Sequence, residues 1–187
     1  MVNEDAEELF NKLYDTLPPE HYPLKLKELF YKDFIHYMDF LESFKLNLKQ
    51  GNVLGVGLTN VFELIAIRRV FNPSKLDVID KVYGGRALVR LVDRFVQADI
   101  TDLKLKEAYD LVVLRHFPVN HKNSRQLIAA ITGCLRKNGS IIASFYYFHE
   151  FKEFLGSAGA VLSYGRSKNP LFLMKNSVKC LEPARYR

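Results

Sequence analysis

Cysteine is scarce in this chain of 187 residues, and the two present, Cys134 and Cys180, are far apart and form neither a CxxC pair nor a zinc-type spacing. They read as free thiols of a reducing compartment rather than as a disulfide frame or a metal knot. No apolar run reaches the roughly 18 to 20 residues that a membrane-spanning helix needs. The N-terminus, "MVNEDAEELF", is acidic where a secretory leader is basic and then apolar. The five histidines contain no HExxH or HxxxH pair, so the sequence offers no metal motif. The phosphate loop GxxxxGK[ST] is absent, and Gly55 and Gly57 are followed by Asn60 where a dinucleotide-binding GxGxxG needs its third glycine. The expectation from these absences is a globular protein of the cytoplasm with no membrane partner.

What is present is apolar and unevenly charged. Hydrophobic residues make up 48% of the chain, enough to build one sizeable core. Residues 1–50 carry 6 Lys/Arg against 10 Asp/Glu, a balance of −4, and residues 51–187 carry 21 against 11, a balance of +10. A basic field of that kind either simply solvates the surface or attracts anions such as RNA.

Periodicity divides the chain at Gly51. Before it, Leu9, Phe10, Leu13 and Tyr14 form one helical stripe over 4–16, broken by Pro18 and Pro19. From Leu24 to about Leu48 a second stripe runs through Leu26, Leu29, Phe30, Phe34, Tyr37, Met38, Leu41 and Phe44. Residues 1–50 are therefore expected to form a helical extension, and 51–187 an α/β domain ending in a basic tail. In that domain strands alternate with helices. "NVLGVG" (52–57) precedes a helix that starts behind the capping residue Asn60 and ends at Asn72-Pro73. "LDVID" (76–80) precedes a helix over 85–95, and "FVQADI" follows as strand three. "YDLVVLRHF" (109–117) precedes a helix over 123–139 that ends at a left-handed Asn138-Gly139 cap. "SIIASFYYF", a helix in "EFKEFLGSAG", and the strands "AVLSYG" and "PLFLMKN" complete the pattern. Alternation of this kind implies a largely parallel sheet covered by helices on both faces.

Ligands of such sheets bind beyond the carboxyl ends of the strands. Those positions hold Gly57, Leu58, Thr59 and Asn60 after strand one, Asp80 after strand two, Asp99 and Ile100 after strand three, and Leu114, Arg115 and His116 after strand four. Taken singly, an acid at a strand end is commonly a turn residue. Taken in order, "VLGVG", "VID", "ADITDL", "AYDLVVLRHFPV", "LRKNGSIIAS" and "FLGSAGAVL" resemble the class I S-adenosylmethionine-dependent methyltransferase family over about residues 50–176. The resemblance implies a doubly wound, mostly parallel, seven-stranded Rossmann-like sheet that binds S-adenosyl-L-methionine. It also implies that Asp80 holds the ribose hydroxyls, that Asp99 meets the adenine amino group with Ile100 beside the ring, and that Gly57 approaches the methionine moiety.

The loop itself departs from the family. With Gly57 as the first loop glycine, Gly55 stands at the acidic position and Thr59 and Val61 at the next two glycine positions. In the other register Gly55, Gly57 and Thr59 fill the glycine positions and Val53 replaces the acid. The first register gives the fuller strand. In either, Gly55, Gly57, Leu58, Thr59, Asp80, Asp99, Ile100 and Leu114 form the expected cofactor set.

His116 is the leading candidate base, with His121 and Tyr146 behind it, and Arg115 and Tyr37 are candidates for substrate contact. The motif of exocyclic-amine methyltransferases is missing from "HFPVN", and neither cysteine follows a proline as in the cytosine-C5 enzymes. The first expectation is a methyltransferase acting on a small-molecule acceptor. Two others stand beside it. One is a catalytically inactive binding module of the same fold. The other is an RNA-associated methyltransferase, suggested by Arg86, Arg90 and Arg94 on one helix and by the basic tail.

Overall fold

Strand β1 (Asn52–Val56) forms the axis of the sheet, pairing in parallel with β2 (Lys75–Asp80) on one side and with β4 (Tyr109–Arg115) on the other. A strand in that position is covered on both faces, which is why "VLGV" is an unbroken apolar run rather than an alternating one. The computed structural model describes residues 4–17, 23–44, 46, 48, 50–58, 60–82, 89–106, 108–115, 124–144, 171–174 and 177–181. Thr59, Arg86, His116, His121 and Tyr146 lie outside them, as do the helix expected at 150–159 and the strand expected at 160–165.

The remaining elements are α1 (Glu4–Tyr14), a 3-10 turn (Leu24–Leu26), α2 (Lys27–Glu42), α3 (Val61–Phe71), β3 (Arg94–Gln97), a second 3-10 turn (Ile100–Asp102), α4 (Ser124–Cys134), β5 (Leu135–Ser144), β6 (Leu171–Met174) and β7 (Ser177–Leu181). The strands lie in the order β3-β2-β1-β4-β5-β7-β6, with only the β6–β7 pair antiparallel. This is the mostly parallel α/β sheet that the alternating pattern implies.

Side chains of successive strand residues leave for opposite faces, so the sheet separates two cores. On one face Val53, Val78, Leu111 and Val113 pack under α1, α2 and α3. On the other Leu54, Val56, Ile79, Val112 and Leu114 pack against Leu127, Ile131 and Cys134 of α4 and against Ile100. The N-terminal helices therefore share a core with the sheet. Their docking is aromatic: the Phe62 ring of α3 lies 4.6 Å from Phe10, 5.9 Å from Tyr14 and 5.9 Å from Phe30. Ring pairs at such distances add about 0.5–1.5 kcal/mol each beyond area burial.

Several expected boundaries move. The second N-terminal helix ends at Glu42 rather than near Leu48, and its first turn is the 3-10 turn at 24–26. The helix expected over 85–95 does not reach its end: residues 90–93 form a turn and bend, and Arg94 opens β3. Asp93 is the reason. Its carboxylate accepts the Leu76 N–H at 2.7 Å and its own N–H donates to Leu76 O at 2.8 Å, so the chain is fastened beside β2 from that point. The basic helix triad consequently fails, because Arg94 lies in a strand and pairs with Asp77. The helix expected over 123–139 stops at Cys134, whose carbonyl accepts the Ala108 N–H at 2.9 Å. Leu135 already begins β5, so Asn138-Gly139 is not a helix cap. Gly139 sits in a tight crossing, where a Cβ would lie 2.9 Å from Leu135 Cδ2 and 3.2 Å from Tyr109 O. Strand "SVKCL" (β7) was not expected at all.

Candidate functional site at the carboxyl edge of the sheet

The register brings the expected edge residues into one row. Val56 stands opposite Ile79 and Leu114, so Gly57 follows at the edge beside Asp80, and Asp80 stands opposite Gln97 of β3. Gly57 takes φ 72°, a left-handed conformation that suits glycine, and its N–H donates to Ile79 O at 3.1 Å. The turn is thereby locked to β2 at the point where the chain leaves the sheet for α3. Asn60 caps that helix, its side-chain oxygen accepting the Phe62 N–H at 2.9 Å as the sequence implies.

Gly55 has a different role from Gly57. A Cβ there would meet Leu58 Cδ1 at 2.4 Å and Val78 Cγ2 at 3.3 Å. Leu58 folds back into the space and is wholly buried in the core beneath α3. Ile100 and Leu114 are likewise buried, in the opposite core. These three side chains back the edge from the two opposite faces of the sheet.

The two acids are held by local hydrogen bonds. Asp80 Oδ1 accepts the Val82 N–H at 2.7 Å, and partial burial pushes its carboxyl above the ordinary range against the pull of the Val82 and Lys81 amides. Its carbonyl accepts the Ala98 N–H at 2.9 Å, tying β2 to the segment that carries Asp99. Strand three stops at Gln97, so Asp99 is two residues beyond it and caps the second 3-10 turn, accepting the Thr101 N–H at 3.0 Å. Lys81 Nζ lies 2.6 Å from Asp99 Oδ2. Burial raises the Asp99 carboxyl, but Lys81 and the Thr101 amide outweigh it and leave the pKa lowered, so Asp99 is an anion near neutral pH. Lys81, next to Asp80 in the sequence, was not among the expected residues; its adjacency to an edge acid was the available signal.

A carboxylate has about four acceptor sites on its two oxygens. Asp80 and Asp99 therefore retain acceptor capacity for a ligand's hydroxyl or amino groups, and the left-handed turn at Gly57 gives that ligand a close approach to backbone. Residues of this kind fit a nucleoside. Arg115 is the last residue of β4, opposite Ser144, which puts its backbone on the same edge.

Tyr37 is on α2, away from the strand ends but not from the loop. It lines a small cleft of about 30 Å3, room for about one water, between α2 and the first turn of α3, together with Phe30, Phe34 and Phe62. Among the described residues the polar side chains of this cleft are Asp33, Asn60 and Glu63. Among the described residues no group of three or more His, Cys, Asp or Glu side chains is placed to hold a metal ion, and no helix is long and apolar enough to cross a membrane.

No family model and no curated protein matches the sequence. Solved structures do. The chain is similar to one in the complex between the Haloferax volcanii Trm112 methyltransferase activator and a protein described with it as a methyltransferase, at TM-score 0.55 and 14% identity over 74% of each chain. It is also similar to a SAM-dependent methyltransferase of Leishmania major, at TM-score 0.53 and 13% identity over 91% of this chain and 77% of that one. The chain has the Rossmann-like fold of class I methyltransferases.

Proposed function

We propose that this protein is an S-adenosyl-L-methionine-dependent methyltransferase acting on a small-molecule acceptor. The observation that carries the reading is the row Gly57, Asp80, Asp99 along one edge of a methyltransferase-type sheet, with the left-handed turn at Gly57 and two carboxylates that keep free acceptor sites. In this reading Asp80 holds the ribose hydroxyls and Asp99 the adenine amino group. Ile100 stands beside the adenine ring, buried Leu114 and Leu58 back the edge from the two opposite cores, and Gly55, Gly57 and Thr59 shape the turn beside the methionine moiety. His116 takes the acceptor's proton, while Arg115 and Tyr37 position the acceptor. When bound, the cofactor supplies an electrophilic methyl group. The chain's part is to orient the acceptor and accept a proton, which is most of what such a transfer needs.

The testing experiment is a radiolabelled methyl-transfer screen over small-molecule amines, phenols, thiols and acids, with His116→Ala as the control. Turnover that falls about 100-fold or more in the variant, at unchanged cofactor affinity, supports the assignment. Turnover equal in the two proteins removes His116 from it.

One observation favours a second reading, a methyltransferase-fold binding module without catalysis. Lys81 already occupies Asp99, and Leu58 fills the space beside Gly55. Cofactor binding without turnover on any acceptor would select that reading. The basic residues after Gly51 also motivate an RNA-associated version, for which a salt-dependent RNA affinity is the required observation.

A further inference from the structure

The amino edge of the sheet, at the opposite end of the strands from Gly57 and Asp80, gathers cations. Among the described residues within four positions of the starts of β1 to β5 stand Lys75, Arg90, Arg94, Lys106, Arg136 and Lys137. The acids in the same stretches are Asp77, Asp93 and Asp110. Arg90 and Arg94 therefore share an edge although they do not share a helix. Arg68 joins them from the last turn of α3, with Nε donating to Leu91 O at 2.7 Å and Nη2 to Asp93 at 3.0 Å. Lys106 is brought in because Ala108 donates to Cys134 O and accepts from Asn52 Nδ2.

The two signs are sorted by depth. Each acid fastens a strand start: Asp77 Oδ2 accepts the Tyr109 hydroxyl at 2.7 Å, Asp93 Oδ2 the Leu76 N–H at 2.7 Å, and Asp110 Oδ2 the Asn52 N–H at 2.8 Å. The cations face solvent. Asp77 is wholly buried, whereas Lys75 and Arg94, which pair with it, are about half exposed. Arg136 is likewise half exposed and Asp110, its partner, less so. Arg90, Lys106 and Lys137 are exposed. Ion pairs so open to water are weak, and a guanidinium has five N–H donors, so Arg94 and Arg136 keep donors for a second anion.

The strand order β3-β2-β1-β4-β5 spreads these cations over four strand spacings, roughly 19 Å. A row of this kind suits the successive phosphates of a polyanion, which arginine grips with two parallel hydrogen bonds. The centre of a protein interface is instead depleted of charged residues. A membrane-binding face needs apolar anchors, and among the described residues none of the exposed large apolar side chains lies within four positions of these strand starts. The row is formed by strand starts rather than by a helix or ribbon of the kind that enters a duplex groove, so a single strand fits it. Asp93 and Asp110 bond through Oδ2 and are part-exposed, which leaves Oδ1 of each as an acceptor for a ribose 2′-hydroxyl.

We propose that the amino edge of the sheet docks the backbone of single-stranded RNA. The surface is separate from the carboxyl edge, so the assignment holds whether or not that edge binds a cofactor.

The experiment is fluorescence anisotropy of a labelled, unstructured 12-nucleotide RNA with the full chain over a series of salt concentrations. Two triple variants remove equal charge. Arg90→Gln/Lys106→Gln/Lys137→Gln strips the row at exposed positions, and Arg166→Gln/Arg185→Gln/Arg187→Gln strips the C-terminal segment. The expected result is saturable wild-type binding that weakens with salt by about 0.7 log units per phosphate held, per log unit of salt. The row variant binds about 10-fold more weakly or worse, with a shallower salt dependence, and the C-terminal variant stays within about two-fold of wild type. An unchanged thermal midpoint shows that the row variant is folded, and Arg90→Gln/Lys137→Gln serves in its place if the midpoint falls. Absent RNA binding, or equal losses in the two triple variants, overturns the proposal. Single-stranded DNA of the same sequence is expected to bind several-fold more weakly, and equal binding overturns the assignment to RNA. Polyglutamate that binds as tightly as the RNA overturns it as well.

Discussion

Leu58 packs its side chain into the space that Gly55 leaves open, so closely that a Cβ on Gly55 would lie 2.4 Å from Leu58 Cδ1. The two glycines of "NVLGVG" are thus separable: Gly57 is needed for a left-handed turn, and Gly55 is needed for packing. Gly55→Ala is expected to destabilise the fold by about 1–3 kcal/mol, the usual cost of overpacking a filled core. The double variant Gly55→Ala/Leu58→Ala should lose less than the sum of the two single losses, because truncating Leu58 makes room for the new Cβ. Denaturant midpoints of the four proteins measure this coupling, and strictly additive losses would show that the two residues do not share the space.

Lys81 and Asp99 form an ion pair that is largely open to solvent on the lysine side, so its contribution to stability is expected to be under about 1 kcal/mol. That contribution is present above the ordinary carboxylate pKa of 3.8 and is lost as pH falls through the lowered pKa of folded Asp99. The larger expected effect is on ligand binding. Lys81→Met frees Asp99 Oδ2 for an adenine amino group, and S-adenosylhomocysteine should bind several-fold more tightly. Weaker binding in the variant would mean that Lys81 holds Asp99 in a productive position.

Away from the ligand edge, Asp77 is wholly buried and its Oδ2 is shared by Tyr109 Oη at 2.7 Å, Lys75 Nζ at 2.8 Å and Arg94 Nη2 at 3.2 Å. Burial first, and then the neighbouring Asp77 carboxylate, push the Tyr109 phenol from 10.0 up to about 12. A neutral phenol is thus favoured in the folded state. Stability is full below pH 10, where both states are protonated, and falls between about 10 and 12 as the unfolded chain alone ionises. Tyr109→Phe removes this part of the alkaline decline and costs about 1–3 kcal/mol at neutral pH through the lost buried hydrogen bond. Denaturation midpoints at pH 9 and pH 11 check both, and an unchanged alkaline slope in Tyr109→Phe would assign the decline to other groups.

The sequence shows the α/β architecture and the row of edge residues because both depend on local signals. Asn60 as helix cap and Asp80 as strand end follow from one residue and its neighbours. What it hides depends on contacts distant in the chain. "LRKNG" reads as a basic helix end with a left-handed cap, yet Leu135 pairs with Tyr109, and Gly139 lies where β5 crosses close to it through a register shift. Arg94 looks helical beside Arg90 until Asp93 docks on Leu76 and buried Asp77 draws the guanidinium into β3. The aromatic packing of Phe34 and Tyr37 against α3 is hidden for the same reason, since these residues and Phe62 line one small cleft only when α2 packs on α3. Tyr37 could be singled out as a candidate, but nothing local to it names Phe62 as the wall opposite.

The most direct measurement is calorimetric titration of the wild type and Asp80→Ala with S-adenosyl-L-methionine and S-adenosylhomocysteine. The expected result is micromolar binding of both ligands by the wild type, weakened about 10-fold or more when Asp80 is removed, as fits the loss of hydrogen bonds to a charged acceptor. Wild-type protein that binds neither ligand, or binding that Asp80→Ala leaves unchanged, would contradict the assignment of this edge as the cofactor site.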